Sequence, residues 1–406
     1  MVAEGFCYAA AMHKLGRGLV ILLVLSLSAC AFPGYYGQAI NGELHLLAAR
    51  RSIAKIVADP ATPTALRRQL ELAEQIRSYA STALGLPRNG SYTSYVALDQ
   101  PYVSWTVFAT KPYSLAPITW CFPVAGCVPY RGYFHHPDAE NFAATLRQRG
   151  DDVYIADVPA YSTLGWFNDP LLSSMLGWSD TTLANYIFHE LAHQELYLKG
   201  DADFNESYAV TVADVGVHRW LAATGREAEL PAYEAGQRHW HMIVLLVDTA
   251  RGQLADLYAS GLPPSQMQTR KQQIFEQLRK SYAAVRPELG QDTGYDSFFN
   301  GPLNNASLLT VSTYSKWVPA FRALLMGNNN DLPAFYQAVK GLMRLPAASR
   351  QAALENLMLK SGPPRNRSVA RSAMVIWATA PGLLANPEAP RADRPTHYAP
   401  KFYALR

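Results

Sequence analysis

The sequence predicts an α+β protein that is predominantly α-helical, with a small mixed β-sheet and an N-terminal helical hairpin. Residues 91–134 are rich in Tyr, Val, Thr, Trp and Phe, whereas apolar residues recur at helical spacing almost continuously from residue 181 onwards. Of the 406 residues, 49% are hydrophobic and 17% are charged. That composition excludes a disordered chain, and the hydrophobic core can be large enough for the chain to fold without stabilising disulfides.

The N-terminus has the features of a secretory signal peptide. The apolar run Leu19–Leu27 is too short to cross a bilayer as a helix, and basic residues precede it. The following Leu-Ser-Ala-Cys ends at Cys30 and resembles the bacterial lipobox, whose cysteine becomes lipidated. We therefore expect residues 1–30 to be a lipoprotein signal peptide. Because Ala31 is not a retention aspartate, we expect a lipid-anchored protein at the outer membrane, facing the periplasm.

The rest of the chain is expected to form one domain, residues 31–386, followed by a Pro-rich tail at 387–406. Within the domain, residues 31–90 predict the helical hairpin, 91–180 the sheet region and 181–386 the helical region. The individual helices and strands are predicted from the spacing of apolar residues and from Pro and Gly residues at their ends. The predicted helices are 43–58, Thr62–Gly85, Pro137–Gly150, Gln266–Val285, Tyr314–Met326, Leu332–Met343 and Ser349–Leu359, and the predicted strands are 102–108 and 153–158.

Two cysteines lie within the expected domain. Cys121 and Cys127 are separated by a short loop, and because an export route is oxidising, a disulfide between them is favoured. Two buried free thiols are the alternative. A zinc site is disfavoured, since no second Cys or His pair lies nearby at ligand spacing.

The sequence feature that most strongly indicates a catalytic site is His-Glu-Leu-Ala-His at residues 189–193. A helix advances about 100° per residue, so His189 and His193 lie one turn apart on one face, where both imidazoles can bind one Zn²⁺. Zinc lowers the pKa of a bound water to about 7, and Glu190 lies where it can take that proton. The alternative is an ordinary helix that carries two histidines, which the small and apolar flanking residues make less favourable.

Glu206 is the candidate for the third protein ligand that a catalytic zinc needs. Gly200 lies between His193 and Glu206 and allows a turn, so Glu206 would lie on a second helix packed against the first. Two His and one Glu are the ligand set of gluzincins, and Asn205-Glu206 resembles the Asn-Glu of that clan. No His follows His193 at metzincin spacing.

Three blocks resemble the predicted zinc aminopeptidase family of Gram-negative bacteria. They are FHELAHQELYLKGDADFNESYA (188–209), AYSTLGWFNDPLLSSML (160–176) and NNASLLTVSTYSKWVPAF (304–321). The resemblance implies a metallopeptidase with a gluzincin-like zinc-helix core and one zinc ion. Aminopeptidase action follows from the family alone, since the ligand spacing does not distinguish it from endopeptidase action.

Further site residues are assigned by analogy with gluzincins. Tyr314 is the candidate donor to the oxyanion, and a core tyrosine is the alternative. The segment before the zinc helix would act as an edge strand that pairs with the substrate, so that Tyr161, Gly165 and Trp166 line the cleft. A packed loop that covers the core is the alternative.

Weaker candidates surround the motif. His218, His239 and His241 are favoured as solvated surface histidines. Asp201 and Asp203 could orient a ligand imidazole, although turn or cap roles are favoured. No residue is assigned to the α-amino group of a substrate.

These observations predict a zinc peptidase of the cell envelope, most simply an aminopeptidase with peptide substrates and a membrane anchor at its N-terminus. An endopeptidase acting on envelope proteins or peptidoglycan peptides is the first alternative. A non-catalytic assembly or chaperone lipoprotein is the second. A nucleic-acid partner is not expected, because the net charge is only +4 and the sequence has no dense Lys/Arg run.

Overall fold

A computed structural model describes residues 32–122, 126–290, 292, 294–311 and 316–360. Most of these residues are helical, and short strands form small sheets, which confirms the predominantly helical α+β class. The predicted leader with Cys30, the tail at 387–406 and Tyr314 lie outside the described residues. No helix among the described residues has the length and apolarity needed to cross a membrane.

Residues 32–82 form three helices instead of the two expected in the N-terminal region. They are α1 (Phe32–Ala49), α2 (Ile53–Ala58) and α3 (Thr64–Thr82). The predicted first helix over 43–58 is interrupted by strand β1 (Arg51–Ser52), so the hairpin consists of the short α2 packed on α3. Thr62 does not cap α3, since its hydroxyl donates to the Ile56 carbonyl at 2.6 Å and closes the turn.

The strands that the structure describes form three small sheets. In the first, β2 (Ser94–Val96) pairs antiparallel with β1 and parallel with β8 (Leu171–Leu172). In the second, β3 (Ser104–Thr110) lies between β6 (Arg131–Tyr133) and β7 (Asp152–Val158) and pairs antiparallel with both. The third is the hairpin of β4 (Trp120–Phe122) and β5 (Gly126–Val128). The predicted strands at 102–108 and 153–158 correspond to β3 and β7.

The third sheet carries the disulfide. Cys121 and Cys127 lie opposite each other in the register of β4 and β5, and their sulfurs are bonded. The structure therefore confirms the pairing favoured by the sequence. Helix α4 (His136–Gln148) packs against β3 and β7 and covers one face of the second sheet.

The remaining helices are α5 (Asp180–Glu195), α6 (Ala202–Ala223), α7 (Leu230–Ala259), α8 (Pro264–Val285), α9 (Asp296–Asn300), α10 (Asn305–Leu308), α11 (Val318–Gly327), α12 (Leu332–Met343) and α13 (Ala347–Lys360). Three of these match predicted helices closely. Helix α11 begins at Val318, with a proline in its first turn, and so starts later than the predicted residue 314.

Within the described ranges, the buried apolar residues form three clusters. The largest joins α3, α5 and α6 to α11, α12 and α13. A second lies among α7, α8, α9 and α10, and a third lies between the second sheet and α4. Helix α5 contributes Leu183, Ile187, Phe188 and Leu191 to the largest cluster, all of them fully or almost fully buried. The predicted zinc helix is therefore surrounded by protein.

Gly216 sets the distance between α6 and its neighbours. A Cβ atom there would lie 2.7 Å from Cδ2 of Phe188 and 2.8 Å from Cδ1 of Leu84. We expect Gly216→Ala to lower the free energy of unfolding by about 1–3 kcal/mol, because it overpacks this contact. Urea denaturation measures the change. The matched control is Gly236→Ala on α7, where no heavy atom lies within 4 Å and stability should be unchanged or slightly higher. Equal stability of the two variants would contradict this account of the packing.

Candidate metal centre

Helix α5 begins at a side-chain cap and is buried along most of its length. Ser179 is the N-cap, and its hydroxyl accepts a hydrogen bond from the Thr182 N–H at 3.2 Å. Within the helix His189, Glu190 and His193 are only 2–3% exposed. Polar groups this deeply buried need partners or a ligand, since unsatisfied burial costs free energy.

A tight connection brings the second ligand-bearing helix back onto the first. The Asn205 side chain binds both backbone groups of Leu198, accepting from its N–H at 2.7 Å and donating to its carbonyl at 2.8 Å. Gly200 takes the left-handed backbone conformation that this turn requires, with φ of 84°. Asp201 caps α6 by accepting from the Phe204 N–H, and it also binds Arg350. Asp201 is thus a helix cap, the role favoured by the sequence.

The three predicted ligands converge. The Nε2 atoms of His189 and His193 are 3.0 Å apart, and the Glu206 carboxylate lies 3.3 Å from the first and 3.5 Å from the second. Potential ligand atoms of the three residues all lie within 4.8 Å of one another. Among the described residues this is the one group of three or more His, Cys, Asp or Glu side chains arranged in this way. Two imidazoles and a carboxylate that converge in a buried site could hold a metal ion.

The two buried glutamates have opposite electrostatic surroundings. Burial by itself would raise the pKa of Glu206, but the two histidines outweigh this effect and hold the pKa well below its usual range. Glu206 is therefore an anion that can bind a cation. Burial raises the pKa of Glu190 to about 7, with nearby carboxylates adding to the rise and His193 opposing it. Glu190 is therefore a group that can hold a proton near neutral pH.

The segment expected to be an edge strand is a turn. Leu164 and Gly165 both have positive φ, at 54° and 84°, which an extended strand does not allow. The Tyr161 hydroxyl donates to the Glu43 carboxylate. A Cβ atom at Gly165 would lie 3.3 Å from Cγ of Gln194, and the neighbouring Trp166 is 79% exposed. The expected strand pairing with the substrate is therefore wrong. Substrate contact by Tyr161, Gly165 and Trp166 stays a prediction.

The weaker histidine candidates lie outside the group of ligands. His218 lies between Asp214 and Glu234, His239 lies 3.6 Å from Asp292, and His241 is exposed. Asp203 is half-exposed in the first turn of α6. None of these side chains belongs to the three-residue metal group.

Sequence reasoning missed two buried residues near Glu190. Ser162 and Asp169 are 1% and 3% exposed, and the Ser162 hydroxyl donates to Asp169 at 3.0 Å. The Asp169 carboxylate adds to the rise in the pKa of Glu190, and Ser162 opposes it. No spacing rule links residue 162 to residue 190, because the effect depends on how a loop folds. The resemblance block over 160–176 contains both residues and was the available signal.

Comparison with known proteins gives one match. A family model described as "Putative aminopeptidase" matches residues 34–354, which includes both ligand-bearing helices. No curated protein and no solved structure matches the chain. Because the match covers most of the sequence, the chain belongs to this aminopeptidase family.

Proposed function

We propose that the protein is a zinc-dependent aminopeptidase of the gluzincin type. The observation that carries this proposal is the buried convergence of His189, His193 and Glu206 beside Glu190. Family membership supports peptidase chemistry, and a His₂Glu ligand set is one that zinc peptidases use.

Each of these residues would have its own role in hydrolysis. His189, His193 and Glu206 would hold the metal. When bound, zinc supplies Lewis-acid chemistry, which makes water nucleophilic near neutral pH and polarises a carbonyl group. Glu190 would accept the proton of the attacking water and pass it to the leaving amine. Among the described residues its Oε2 atom has no hydrogen-bond partner, so this oxygen is available for the proton.

The substrate would lie along the turn formed by residues 161–167. Trp166 supports this placement because its indole is exposed, and because a Cβ atom at the adjacent Gly165 would lie 3.3 Å from Cγ of Gln194, the residue that follows His193. An exposed aromatic side chain offers apolar contact area to a peptide. Tyr314 stays our candidate for the oxyanion donor, on the basis of the resemblance alone.

We also propose that the enzyme acts in the cell envelope. The support is the sequence of the leader and of the lipobox that ends at Cys30. A lipid at Cys30 would hold the protein at a membrane surface, with peptides as substrates.

Aminopeptidase action is tested by digesting matched peptides with free and with acetylated N-termini. We expect release of the N-terminal residue from the free peptide and no cleavage of the blocked one, because an aminopeptidase recognises the free α-amino group. Mass spectrometry of the products measures both. Internal cleavage of the blocked peptide would support the endopeptidase alternative and contradict this part of the proposal.

A further inference from the structure

Helix α1 has an apolar face that points away from the rest of the protein. Ile40 and Leu44 are each 58% exposed, and they lie one turn apart on the same side of the helix. Among the described side chains of α1, none of the exposed ones is Asp, Glu, Lys or Arg. The outer face of α1 consists of the exposed residues Gly37, Ile40, Leu44 and Ala48, with the exposed Asn41 and His45 along one edge.

The outer face of α1 differs from that of a helix in contact with water. A solvent-facing helix normally has polar residues outward, and α8 follows this rule. The exposed residues in the middle turns of α8 are Gln272, Gln273, Glu276, Gln277 and Lys280. One exposed Leu needs no explanation, but an apolar stripe over about three helical turns indicates a surface that another structure covers.

The opposite side of α1 is fixed to the protein. Leu46 is 6% exposed and belongs to the largest apolar cluster. The Gln38 side chain donates to the Gly132 carbonyl at 3.2 Å and accepts from the Phe134 N–H at 3.0 Å. Because these contacts set the rotation of the helix about its axis, the outer face cannot turn inward without breaking them.

The position of α1 in the chain indicates what covers its outer face. The helix begins at Phe32, two residues after Cys30, the residue expected to carry a lipid. Leu44 lies about 18 Å along the helix axis from Phe32. A lipid at Cys30 would therefore hold one end of α1 at a bilayer. A helix at a bilayer surface with one apolar side lies in the interface, with that side among the lipids.

The turn formed by residues 161–167 lies beside α1. The Glu43 carboxylate accepts a hydrogen bond from the Tyr161 hydroxyl. Leu47 lies one turn from Leu44 on the helix surface and lines a small cavity together with Phe167. Phe167 is 46% exposed and Trp166 is 79% exposed. Tryptophan is enriched where proteins meet the boundary between lipid and water.

We propose that the outer face of α1 binds the surface of the lipid bilayer, together with the exposed rings of Trp166 and Phe167. The partner is a phospholipid surface, and the contact adds to a lipid at Cys30. The turn that we assign to substrate contact then lies at the membrane surface. This inference rests on the proposed location in the cell envelope and is independent of the proposed zinc chemistry.

The test places a fluorescent probe on the outer face of α1. Full-length protein that the host has processed at Cys30 is reconstituted into vesicles of phosphatidylethanolamine and phosphatidylglycerol, with an environment-sensitive fluorophore on Ala48→Cys. Cys121 and Cys127 are bonded to each other, so they do not compete for the label. We expect blue-shifted emission that nitroxide-labelled phospholipid quenches, because the probe lies among the lipids.

Two comparisons make the result specific. A probe on Glu276→Cys, on the polar face of α8, should emit as in water and should not be quenched. Adding Ile40→Asn and Leu44→Asn to the Ala48→Cys protein should lower the quenching towards that of this control, since the apolar contact with the lipids is lost.

Water-like emission from residue 48 on vesicles would overturn the inference. Blue-shifted emission without quenching would also overturn it, because residues 361–406 or a second copy of the chain would then cover the face. Mass spectrometry of the N-terminal peptide separates this inference from its basis, since an unacylated Cys30 would overturn the proposed location. The probe reports contact with the added vesicles in either case, and zinc-dependent cleavage is measured separately.

Discussion

Glu190→Gln is expected to lower kcat about 10²–10⁴-fold while the zinc content stays at that of the wild type. The amide has nearly the same shape as the carboxylate but cannot accept the proton of the attacking water. Glu190 is 2% exposed, so bulk water is a poor substitute for it at this position. Steady-state kinetics and metal analysis of the same preparation measure the two quantities.

The matched control for that variant is Glu195→Gln, on the same helix. Glu195 lies in a partly exposed ion pair with Lys340, at 3.0 Å, and such pairs contribute only about 0–1 kcal/mol. This control should keep its activity and its zinc. Normal turnover by Glu190→Gln would remove Glu190 from the mechanism.

Glu206→Gln is expected to release the metal and with it the activity. Glu206 would be the anionic ligand, since both other ligands are neutral imidazoles when they bind a metal. Outer-shell mutations alone cost about 10–100-fold in metal affinity, so loss of a direct ligand should cost more. Titration with a chromophoric chelator measures the affinity.

Asp203→Asn provides the comparison for Glu206→Gln. Asp203 lies three residues earlier, half-exposed in the first turn of α6, and its loss should leave zinc affinity unchanged. If Glu206→Gln bound zinc as tightly as Asp203→Asn, then Glu206 would not be a ligand.

The convergence of the three candidate metal ligands could be predicted from the sequence because it depends on local geometry. His189 and His193 share a face through helical periodicity alone. The position of Glu206 needed only a turn at Gly200 and a second helix, and the Asn205 contacts with Leu198 supply that turn. The disulfide was predictable for a similar reason, since Cys121 and Cys127 face each other across a short hairpin.

The surroundings of the centre could not be predicted in the same way. The edge strand expected before α5 was wrong because Leu164 and Gly165 take positive φ, and the glycine was the one local indication of a turn. Ser162 and Asp169 influence the pKa of Glu190 from a loop that is held together by its own hydrogen bonds, and no local sequence pattern indicates that arrangement. The break in the first helix depends on the pairing of Arg51 with Tyr95, which is remote in sequence.

The central claim is that His189, His193 and Glu206 hold a zinc ion that peptide hydrolysis requires. The most direct measurement is the zinc content of the purified full-length protein, followed by digestion of a peptide library with and without a chelator. The account predicts one zinc ion per chain, cleavage that the chelator stops, and recovery when zinc is restored. A protein with no metal and no cleavage, or with cleavage that persists without zinc, would contradict it.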